Sequence, residues 1–364
     1  MTPRPSHRPT ARDVAAELGV SAKTVSNAYT RPDQLSAGLR GRILATAARL
    51  GYPGPDPVAA GLRRGRVGAI GVAYANRLSY AFDDPVAREL LAGMTSVAES
   101  AGAGLLLLPG SSDPQRRAQA ISGAVVDGLI ASSLADDDPL LHTAIARGLP
   151  LVVVDQPRPA RLPERVPWIG VEDRPAAARA AEHLLALGHV RFGVVCFGLW
   201  RTPGRGLVGV TEQQAATYAV SRDRLAGYRD AIERHGLDWG AVPVFQGTDS
   251  TPEEGAAGAA AVLATTPRPT ALLCMSDRLA EGALGVAGRL GFPVPGHVSV
   301  VGFDDAVPTG AALDLTTVRQ PTRMKGEQAA HALLSLIDGA EVPISRRPLQ
   351  TELIVRGTTG RSDL

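Results

Sequence analysis

Apolar positions recur at helical spacing through the first fifty residues of the chain. Val14, Ala15 and Leu18 share one face of a first short helix, and Val25 and Ala28 share one face of a second. A third helix has apolar residues at the same spacing, at Leu39, Ile43, Ala47 and Leu50. Three helices that share an apolar face can fold around one core, so the pattern predicts a small helical domain.

From Val67 onward, short apolar runs alternate with alanine-rich helical stretches such as 88–100 and 174–187. The strand-like runs are 67–72, 104–108, 128–131, 151–154, 192–197, 271–275 and 298–301. This alternation is typical of parallel sheets that helices cover on both faces. Two such halves begin at Val67 and near Arg191, and the segment 316–321 is interpreted as a return crossing between them.

The turn between the first two helices has the residues of a helix-turn-helix. Thr10 can cap the first helix, Gly19 suits the left-handed residue that ends it, and Ser21 can cap the second. The second helix then buries its apolar residues and exposes a polar face. In a helix-turn-helix this second helix enters the major groove of DNA. Taken alone, the pattern also fits a pair of surface helices in any small domain.

On these residues the chain resembles the LacI (lactose-repressor/galactose-repressor) family. The matching segments are Asp13-Val-Ala, Gly19-Val-Ser, Thr24-Val-Ser, Leu35-Ser and Leu50-Gly-Tyr52, and the resemblance continues over nearly the whole chain. It implies an α plus α/β fold with a helix-turn-helix headpiece, a hinge helix and a two-lobed periplasmic-binding-protein-like (type I) effector core. It also implies a sequence-specific transcriptional regulator, most often a repressor, that a small-molecule effector controls.

The resemblance divides the chain into four parts. The headpiece is expected at 8–52 and the hinge at 53–66. One lobe of the effector core is expected at 67–166 with 321–349, and the other at 167–320 with 350–359.

The second helix and the resemblance together predict the DNA contacts. Hydroxyl side chains are expected mainly to position the headpiece on phosphates: Thr10, Ser21, Thr24 and Ser26. Most of the base choice is expected to come from Ala22, Lys23 and Asn27. Lys23 can donate to guanine N7 and O6, and Asn27 can pair with adenine.

Charge supports a nucleic-acid partner independently of any motif. Residues 1–66 hold 11 Lys and Arg against 4 Asp and Glu, a net charge of +7, whereas the rest of the chain has a net charge of −5. A basic headpiece on an acidic body is expected when one end of a protein meets phosphates. A solvated charged face is the alternative, but the surplus coincides with the helix-turn-helix. Binding should therefore weaken strongly with salt.

The linker between the two parts is rich in proline. Residues 58–64 can form about two turns of helix, which Gly61 weakens by roughly 1 kcal/mol relative to alanine. In the family the matching hinge helix lies in the minor groove, and Leu62 falls at the position of its wedging leucine. The alternative is a flexible linker in which Leu62 packs on the body. The segment 52–56 is one residue longer than the family pattern, and Asp56 stands where an asparagine is typical.

Polar residues at predicted strand ends indicate an effector site, because ligands of such folds bind at the carboxyl ends of the strands, between the lobes. Four of them follow apolar runs: Asp155, Ser276, Asp277 and Asp304. The resemblance identifies Arg224 as the arginine that grips the effector, and it aligns Asp155, Ser276 and Asp304 with family binding positions. Carboxylates accept hydroxyl donors and arginine clamps neighbouring oxygens, so a carbohydrate is the leading class. Nucleobases and other metabolites stay open, and polar residues also cap helices at such turns.

Three further positions come from the resemblance. Tyr74 and Phe82 follow the first strand, where family members contact the ligand, and Asp249 falls where some sugar-binding relatives carry a tryptophan. The glycine-rich loop 198–207, with Trp200, is expected either to close on the effector or to form a mobile surface loop.

Other classes of protein fit less well. The sequence has no His-Glu-x-x-His, Walker loop or Gly-x-Ser-x-Gly, and no Gly-x-Gly-x-x-Gly after a strand, so we expect no catalysis, cofactor or metal. His189 is interpreted as a packed core residue. A solute-binding protein would fit the two-lobed body but not the basic helices. An activator of the same architecture stays open, because sequence does not set the sign of regulation.

The expected compartment and assembly follow from weaker signals. Two isolated cysteines, Cys196 and Cys274, favour a reducing cytosol. The sequence shows no signal peptide, and no apolar run approaches the roughly 20 residues that span a bilayer. No heptad tail follows Thr359. We therefore expect a soluble cytoplasmic homodimer on a near-palindromic double-stranded operator, without a membrane partner.

Overall fold

The computed structural model describes residues 9–55, 66–74, 77–108, 110, 113–202, 204–306, 309–340 and 346–362. The chain divides into two compact units, residues 1–68 and 69–364, each with its own core. The predicted hinge helix at 58–64, including Leu62, lies outside the described residues and stays a prediction.

In the part of the first unit that the structure describes, three α-helices pack together: α1 (Ala11–Leu18), α2 (Ala22–Thr30) and α3 (Ala37–Leu50). Gly19 ends α1 in the left-handed conformation that the sequence predicts, with a φ of 65°. The core takes one apolar side from each helix, with Val14, Val25, Ala28, Ile43 and Ala47 buried. Tyr52 closes this core after α3, because its ring packs edge-on against Tyr29 with 6.0 Å between the ring centroids.

A five-stranded parallel sheet begins the second unit, and with its helices it is called the first lobe. Its strands are β1 (Ala69–Tyr74), β2 (Gly104–Leu108), β3 (Gly128–Ser132), β4 (Leu151–Val154) and β5 (Trp168–Ile169), in the order β2-β1-β3-β4-β5. Its helices are α4 (Leu78–Asp83), α5 (Pro85–Ser100), α6 (Pro114–Gly123) and α7 (Pro139–Ala146). Strands β1, β3 and β4 are almost continuously buried, as in parallel sheets that are covered on both faces.

The second lobe is built on a seven-stranded sheet in the order β12-β11-β10-β9-β6-β8-β7. Its strands are β6 (Phe192–Cys196), β7 (Gly206–Leu207), β8 (Val244–Gln246), β9 (Ala271–Cys274), β10 (Ser299–Asp304), β11 (Thr316–Arg319) and β12 (Glu352–Ile354). Strands β7 and β12 pair antiparallel at the two edges of this sheet. Its helices are α8 (Asp173–Ala186), α9 (Val210–Gln214), α10 (Ala219–Arg234), α11 (Pro252–Leu263), α12 (Asp277–Arg289) and α13 (Thr309–Ala312).

The last helix, α14 (Thr322–Ile337), follows β11 of the second lobe but packs on the first lobe. It crosses α5 at very short range, because glycines stand at the crossing on both helices. A Cβ atom added to Gly326 would lie 2.1 Å from the carbonyl oxygen of Leu90, and one added to Gly93 would lie 2.2 Å from that of Arg323. The chain then returns to the second lobe through β12.

All seven strand-like runs of the sequence lie on strands of these two sheets. Five short strands are not predicted: β5, β7, β8, β11 and β12. Strand β11 occupies the first four residues of the segment 316–321 that the sequence predicts as a crossing. Trp168 and Ile169 pair with Val153 and Val154 of β4, so the first lobe extends beyond the boundary predicted at 166. A pair of residues shows no periodicity, and only the pairing partner assigns it to a sheet.

Candidate DNA-binding helix and effector site

Hydroxyl groups hold the starts of both helices of the helix-turn-helix. The hydroxyl of Ser21 accepts a hydrogen bond from the backbone N–H of Thr24 at 3.0 Å, and the two side-chain oxygens lie 2.8 Å apart. The backbone N–H and the hydroxyl of Thr10 both donate to the carboxylate of Asp13, at 2.7 and 2.8 Å. Three of the predicted phosphate contacts therefore also stabilise helix ends.

The predicted base-reading residues differ in exposure. Lys23 is exposed on α2, whereas Ala22 is half-buried and packs against the core of the first unit. The amide of Asn27 donates to the side-chain oxygen of Gln34 at 3.3 Å, and the carbonyl oxygen of Ser26 accepts from the hydroxyl of Thr30. The Asn27 bond is longer than a typical hydrogen bond and uses only one of the two N–H donors of the amide.

Arg224 is the centre of the candidate effector site and is only 5% exposed. It extends from α10 toward the carboxyl ends of the strands, where it donates to Asp173 at 2.8 Å and to the carbonyl oxygen of Met275. Its guanidinium carbon lies 3.5 Å from the centre of the Phe303 ring, in a cation–π contact. An Asp304 oxygen lies 3.8 Å from the same guanidinium group. The structure therefore brings together the arginine and the aspartate that the sequence predicts.

Asp173 is a residue of this site that sequence reasoning missed. It begins α8 and binds both Arg224 at 2.8 Å and Arg158 at 2.6 Å. Burial alone would raise the pKa of Asp173, but the two guanidinium groups lower it below the ordinary value for a carboxyl group. The available sequence signal was the position of this aspartate at the start of the predicted helix 174–187, because an acidic residue in the first turn stabilises a helix.

Three aspartates at strand ends adopt positive φ angles, a conformation that favours glycine. The φ angles are 127° at Asp304, 50° at Asp305 and 61° at Asp155. Backbone strain of this kind concentrates at functional sites, where the surrounding structure maintains it. The carboxylate of Asp304 accepts a hydrogen bond from the amide of Gln320 at 2.6 Å, and burial raises the pKa of this aspartate well above its usual range. Asp305 is instead paired with Arg319 and Arg356, each at 2.8 Å.

Asp155 follows β4 of the first lobe and is paired with Lys325 of α14. The Lys325 ammonium donates to both oxygens of Asp155, at 2.8 and 2.9 Å, and to the side-chain oxygen of Gln320 at 2.8 Å. Gln320 in turn reaches Asp304 of the second lobe. The two predicted aspartates, one from each lobe, thus belong to one hydrogen-bonded chain that includes a lysine and a glutamine which the sequence did not predict.

Ser276 and Asp277 have structural partners at the start of α12. The Ser276 hydroxyl caps this helix by accepting from the backbone N–H of Leu279 at 3.2 Å, and it lies 2.6 Å from the hydroxyl of Ser250. Asp277 accepts from the hydroxyl of Thr317 at 2.5 Å. Burial raises the pKa of Asp277 to about 7. The alternative interpretation, that polar residues at these turns cap helices, therefore describes Ser276.

The remaining predicted positions divide between buried and exposed. Tyr74 is buried at the end of β1, where desolvation and the charge of Asp84 raise the pKa of its phenol. Phe82 is 59% exposed on α4, and Asp249 is exposed between β8 and α11, so neither joins the Arg224 cluster. Tyr80, which is close to Phe82 in sequence, instead reaches across to the second lobe, where its hydroxyl lies 3.5 Å from the carbonyl oxygen of Ser250.

The glycine-rich loop after β6 is tied to the second lobe. Leu199 is fully buried, and its carbonyl oxygen accepts from the backbone N–H groups of Thr217 and Tyr218. The indole of Trp200 donates to the carbonyl oxygen of Ala215 at 3.0 Å. The end of the loop forms β7, which pairs with β8. The structure thus gives Trp200 a structural partner.

His189 is a packed residue, as the sequence indicates. Its two ring nitrogens lie 2.9 Å from the Thr270 hydroxyl and 3.0 Å from the Ser299 hydroxyl. In the described ranges, no group of three or more His, Cys, Asp and Glu side chains is placed to hold a metal ion. The helices of those same ranges include none that is long and apolar enough to cross a membrane.

Comparison with known proteins identifies the family to which this chain belongs. Residues 181–359 match the family model of the periplasmic-binding-protein-like domain. The chain is 42% identical over 365 residues to an HTH-type transcriptional regulator of Mycobacterium tuberculosis, with 99% of each chain covered. It also matches the crystal structure of a LacI-family transcriptional regulator from Corynebacterium glutamicum at 35% identity and a TM-score of 0.75, covering 98% of this chain and 100% of that one.

The chain belongs to the LacI family of transcriptional regulators. A second similar structure is that of the lac repressor dimer bound to operator and the anti-inducer ONPF, at 25% identity and a TM-score of 0.74, covering 97% of this chain and 100% of that one. The family, the fold class and the function of a DNA-binding regulator that were predicted from the sequence are thereby confirmed. The relatives of this LacI-family chain are regulators rather than enzymes.

Proposed function

We propose that a homodimer of this LacI-family chain binds a near-palindromic operator in the cytoplasm and represses the adjacent genes, and that a small polyhydroxylated molecule bound between the lobes changes its DNA affinity. The buried Arg224–Asp304 pair at the strand ends is the observation that carries the effector half of this proposal. The lac repressor dimer on its operator supports the DNA half. Two headpieces related by a twofold axis match a palindrome.

On the DNA side, α2 is the recognition helix. Lys23 is exposed there and can donate to the N7 and O6 acceptors of guanine in the major groove. The amide of Asn27 donates one N–H to Gln34 at 3.3 Å, which leaves its second N–H and its oxygen to pair with adenine. The hydroxyls of Thr10, Ser21 and Thr24 position the headpiece on phosphates while they hold the helix ends.

On the effector side, the charge balance favours an uncharged ligand that is rich in hydroxyl groups. The two cations at the centre of the site already have carboxylate partners, since Arg224 binds Asp173 and Lys325 binds Asp155. Asp304 is buried and accepts its hydrogen bond from a neutral amide. Hydroxyl groups of a sugar or polyol can donate to such carboxylates, whereas a phosphate would add a further negative charge beside them.

The experiment that tests this function is selection of genomic DNA fragments by the purified full-length chain, followed by sequencing of the bound fragments. We expect enrichment of a near-palindrome of roughly 16–20 base pairs, since two half-sites lie about one helical turn apart. Repeating the selection with glucose, ribose, cellobiose or glucose 6-phosphate tests the effector class, with an uncharged sugar expected to change the recovery. Enrichment of no symmetric site, with or without these compounds, would contradict the proposal. Higher transcription of the bound genes after deletion of the regulator supports repression, and lower transcription indicates activation.

A further inference from the structure

Lys325 is unusual in this chain both in type and in place. Of the 38 basic residues only two are lysines, Lys23 on the exposed face of α2 and Lys325 in the first turn of α14. The side chain of Lys325 is 2% exposed. A buried ammonium group is costly unless it is paired and hydrogen-bonded, so its surroundings show what it does.

All three N–H bonds of this ammonium group have an acceptor. Two oxygens belong to Asp155 of the first lobe, at 2.8 and 2.9 Å, and the third is the side-chain oxygen of Gln320, at 2.8 Å. Gln320 lies just after β11 of the second lobe, on the segment where the chain crosses between lobes. A single ammonium group therefore binds one residue beside each sheet.

The contact with Lys325 also determines how Gln320 is oriented. Because the side-chain oxygen of Gln320 accepts from the ammonium group, its NH₂ group must point the other way, toward Asp304. That NH₂ group donates to Asp304 at 2.6 Å, and Asp304 lies 3.8 Å from Arg224. The chain Asp155–Lys325–Gln320–Asp304 thus joins the strand ends of the two lobes through the centre of the site.

A lysine suits this position better than an arginine. The ammonium group is compact and presents three rotatable donors, which matches three acceptors around one point, whereas a guanidinium group presents a planar fork. The acceptors are also constrained, since Asp155 has a φ of 61° and uses its carbonyl oxygen to accept from the indole of Trp168 at 2.9 Å. Lys325 therefore meets a preformed acceptor in the first lobe.

We propose that Lys325 is a positioning residue of the effector site: it orients Gln320 toward Asp304 and, by binding Asp155 at the same time, contributes to the relative arrangement of the two lobes. An effector hydroxyl that takes the Asp304 oxygen now bonded to the Gln320 amide competes with that amide, and this competition loosens or re-forms the link to the first lobe. The inference rests on the proposed function only in calling the site an effector site.

The test measures the distance between the lobes directly. Spin labels are placed on cysteines introduced by Val125→Cys in the first lobe and Val190→Cys in the second, at positions that are 62% and 57% exposed. The native Cys196 and Cys274 are fully buried and need no removal. The labelled full-length protein is mixed with an excess of unlabelled chain, so that distances between copies do not contribute to the double electron–electron resonance signal.

The variant is Lys325→Met, which keeps an unbranched side chain and removes the ammonium group. We expect its interlobe distance distribution to shift or broaden relative to wild type. The matched control is Arg356→Met, which breaks the similarly buried 2.8 Å pair with Asp305 inside the second lobe and should leave the distribution unchanged. If Lys325→Met does not fold, the double variant with Asp155→Asn removes both charges and gives the same test. An unchanged distribution in either Lys325 variant, or an equal change in the control, would overturn the proposal.

A second measurement tests whether the Lys325 contact between the lobes affects DNA binding. For an operator fragment recovered by the selection, Lys325→Met should change the Kd of the ligand-free protein by about fivefold or more, the lower end of usual allosteric coupling. Arg356→Met should leave this Kd unchanged. A shifted distance with an unchanged Kd would show that Lys325 positions the lobes without affecting DNA, and that result would contradict its regulatory role. Failure of the selection would count against the proposed function and leave the distance measurement valid.

Discussion

The crossing of α5 and α14 offers a sharp test of how α14 is held, because both helices approach through glycine. Replacement of Gly326 by alanine would place a methyl group 2.1 Å from the carbonyl oxygen of Leu90 and 3.0 Å from the backbone nitrogen of Met94. Both are backbone atoms of a helix, so neither can move aside alone. The two helices must separate by roughly 1 Å before the methyl group reaches van der Waals distance.

The change in the free energy of unfolding that we expect for Gly326→Ala is the difference between two opposed effects. Overpacking of this kind destabilises by about 1–3 kcal/mol, while alanine is a better helix former than glycine by about 1 kcal/mol. Gly326→Ala should therefore lower the free energy of unfolding by up to about 2 kcal/mol. Since 1 kcal/mol corresponds to about 2–4 °C in a domain of roughly 150–250 residues, the melting temperature should fall by up to several degrees.

The assay is thermal and urea unfolding followed by circular dichroism. The matched control is Gly288→Ala near the end of α12, where an added Cβ has no atom within 4 Å, so the substitution should leave stability unchanged or raise it. Gly326→Ala also moves the residue next to Lys325, so it should disturb the interlobe distance as well. A Gly326→Ala variant as stable as Gly288→Ala would refute the close-packing argument.

Three further predictions concern single side chains. Because burial raises the pKa of Cys196 and Cys274, Ellman's reagent should react with neither thiol in the folded protein and with both after unfolding; fast reaction of a native thiol would contradict their burial. Burial raises the pKa of Asp277 to about 7 from an ordinary value near 4, so its contribution to stability is full below about pH 4 and is lost as the pH rises to about 7. Asp277→Asn should therefore gain urea resistance relative to wild type between pH 5 and pH 8, and an equal midpoint difference at both values would contradict this sign. Lys23→Ala should cost about 1–3 kcal/mol at one base position of the operator if Lys23 reads a base edge, as measured by binding to operator variants. A uniform loss over all sequences, with a shallower salt dependence, would instead make Lys23 a phosphate contact, and Arg42→Ala on the exposed side of α3 is the control.

The headpiece was largely determined by the sequence itself. Its helices are short, its caps are local, and each core position lies at helical spacing from the next. The local sequence pattern is therefore nearly sufficient to predict this fold. Ser21 and Gly19 occupy the cap positions expected of them. For the same reason most strands of the two lobes were identified from short apolar runs, although a two-residue strand such as β5 was not.

The candidate site was determined by the sequence only in part. Strand ends identified Asp155 and Asp304, and the family resemblance identified Arg224, since each position follows a local pattern or matches a motif. Asp173, Gln320 and Lys325 have no such pattern, because their roles depend on partners 51, 16 and 170 residues away. Only the tertiary structure shows that Lys325 is buried between two sheets, since burial of a charge is decided by what packs around it and not by its neighbours in sequence.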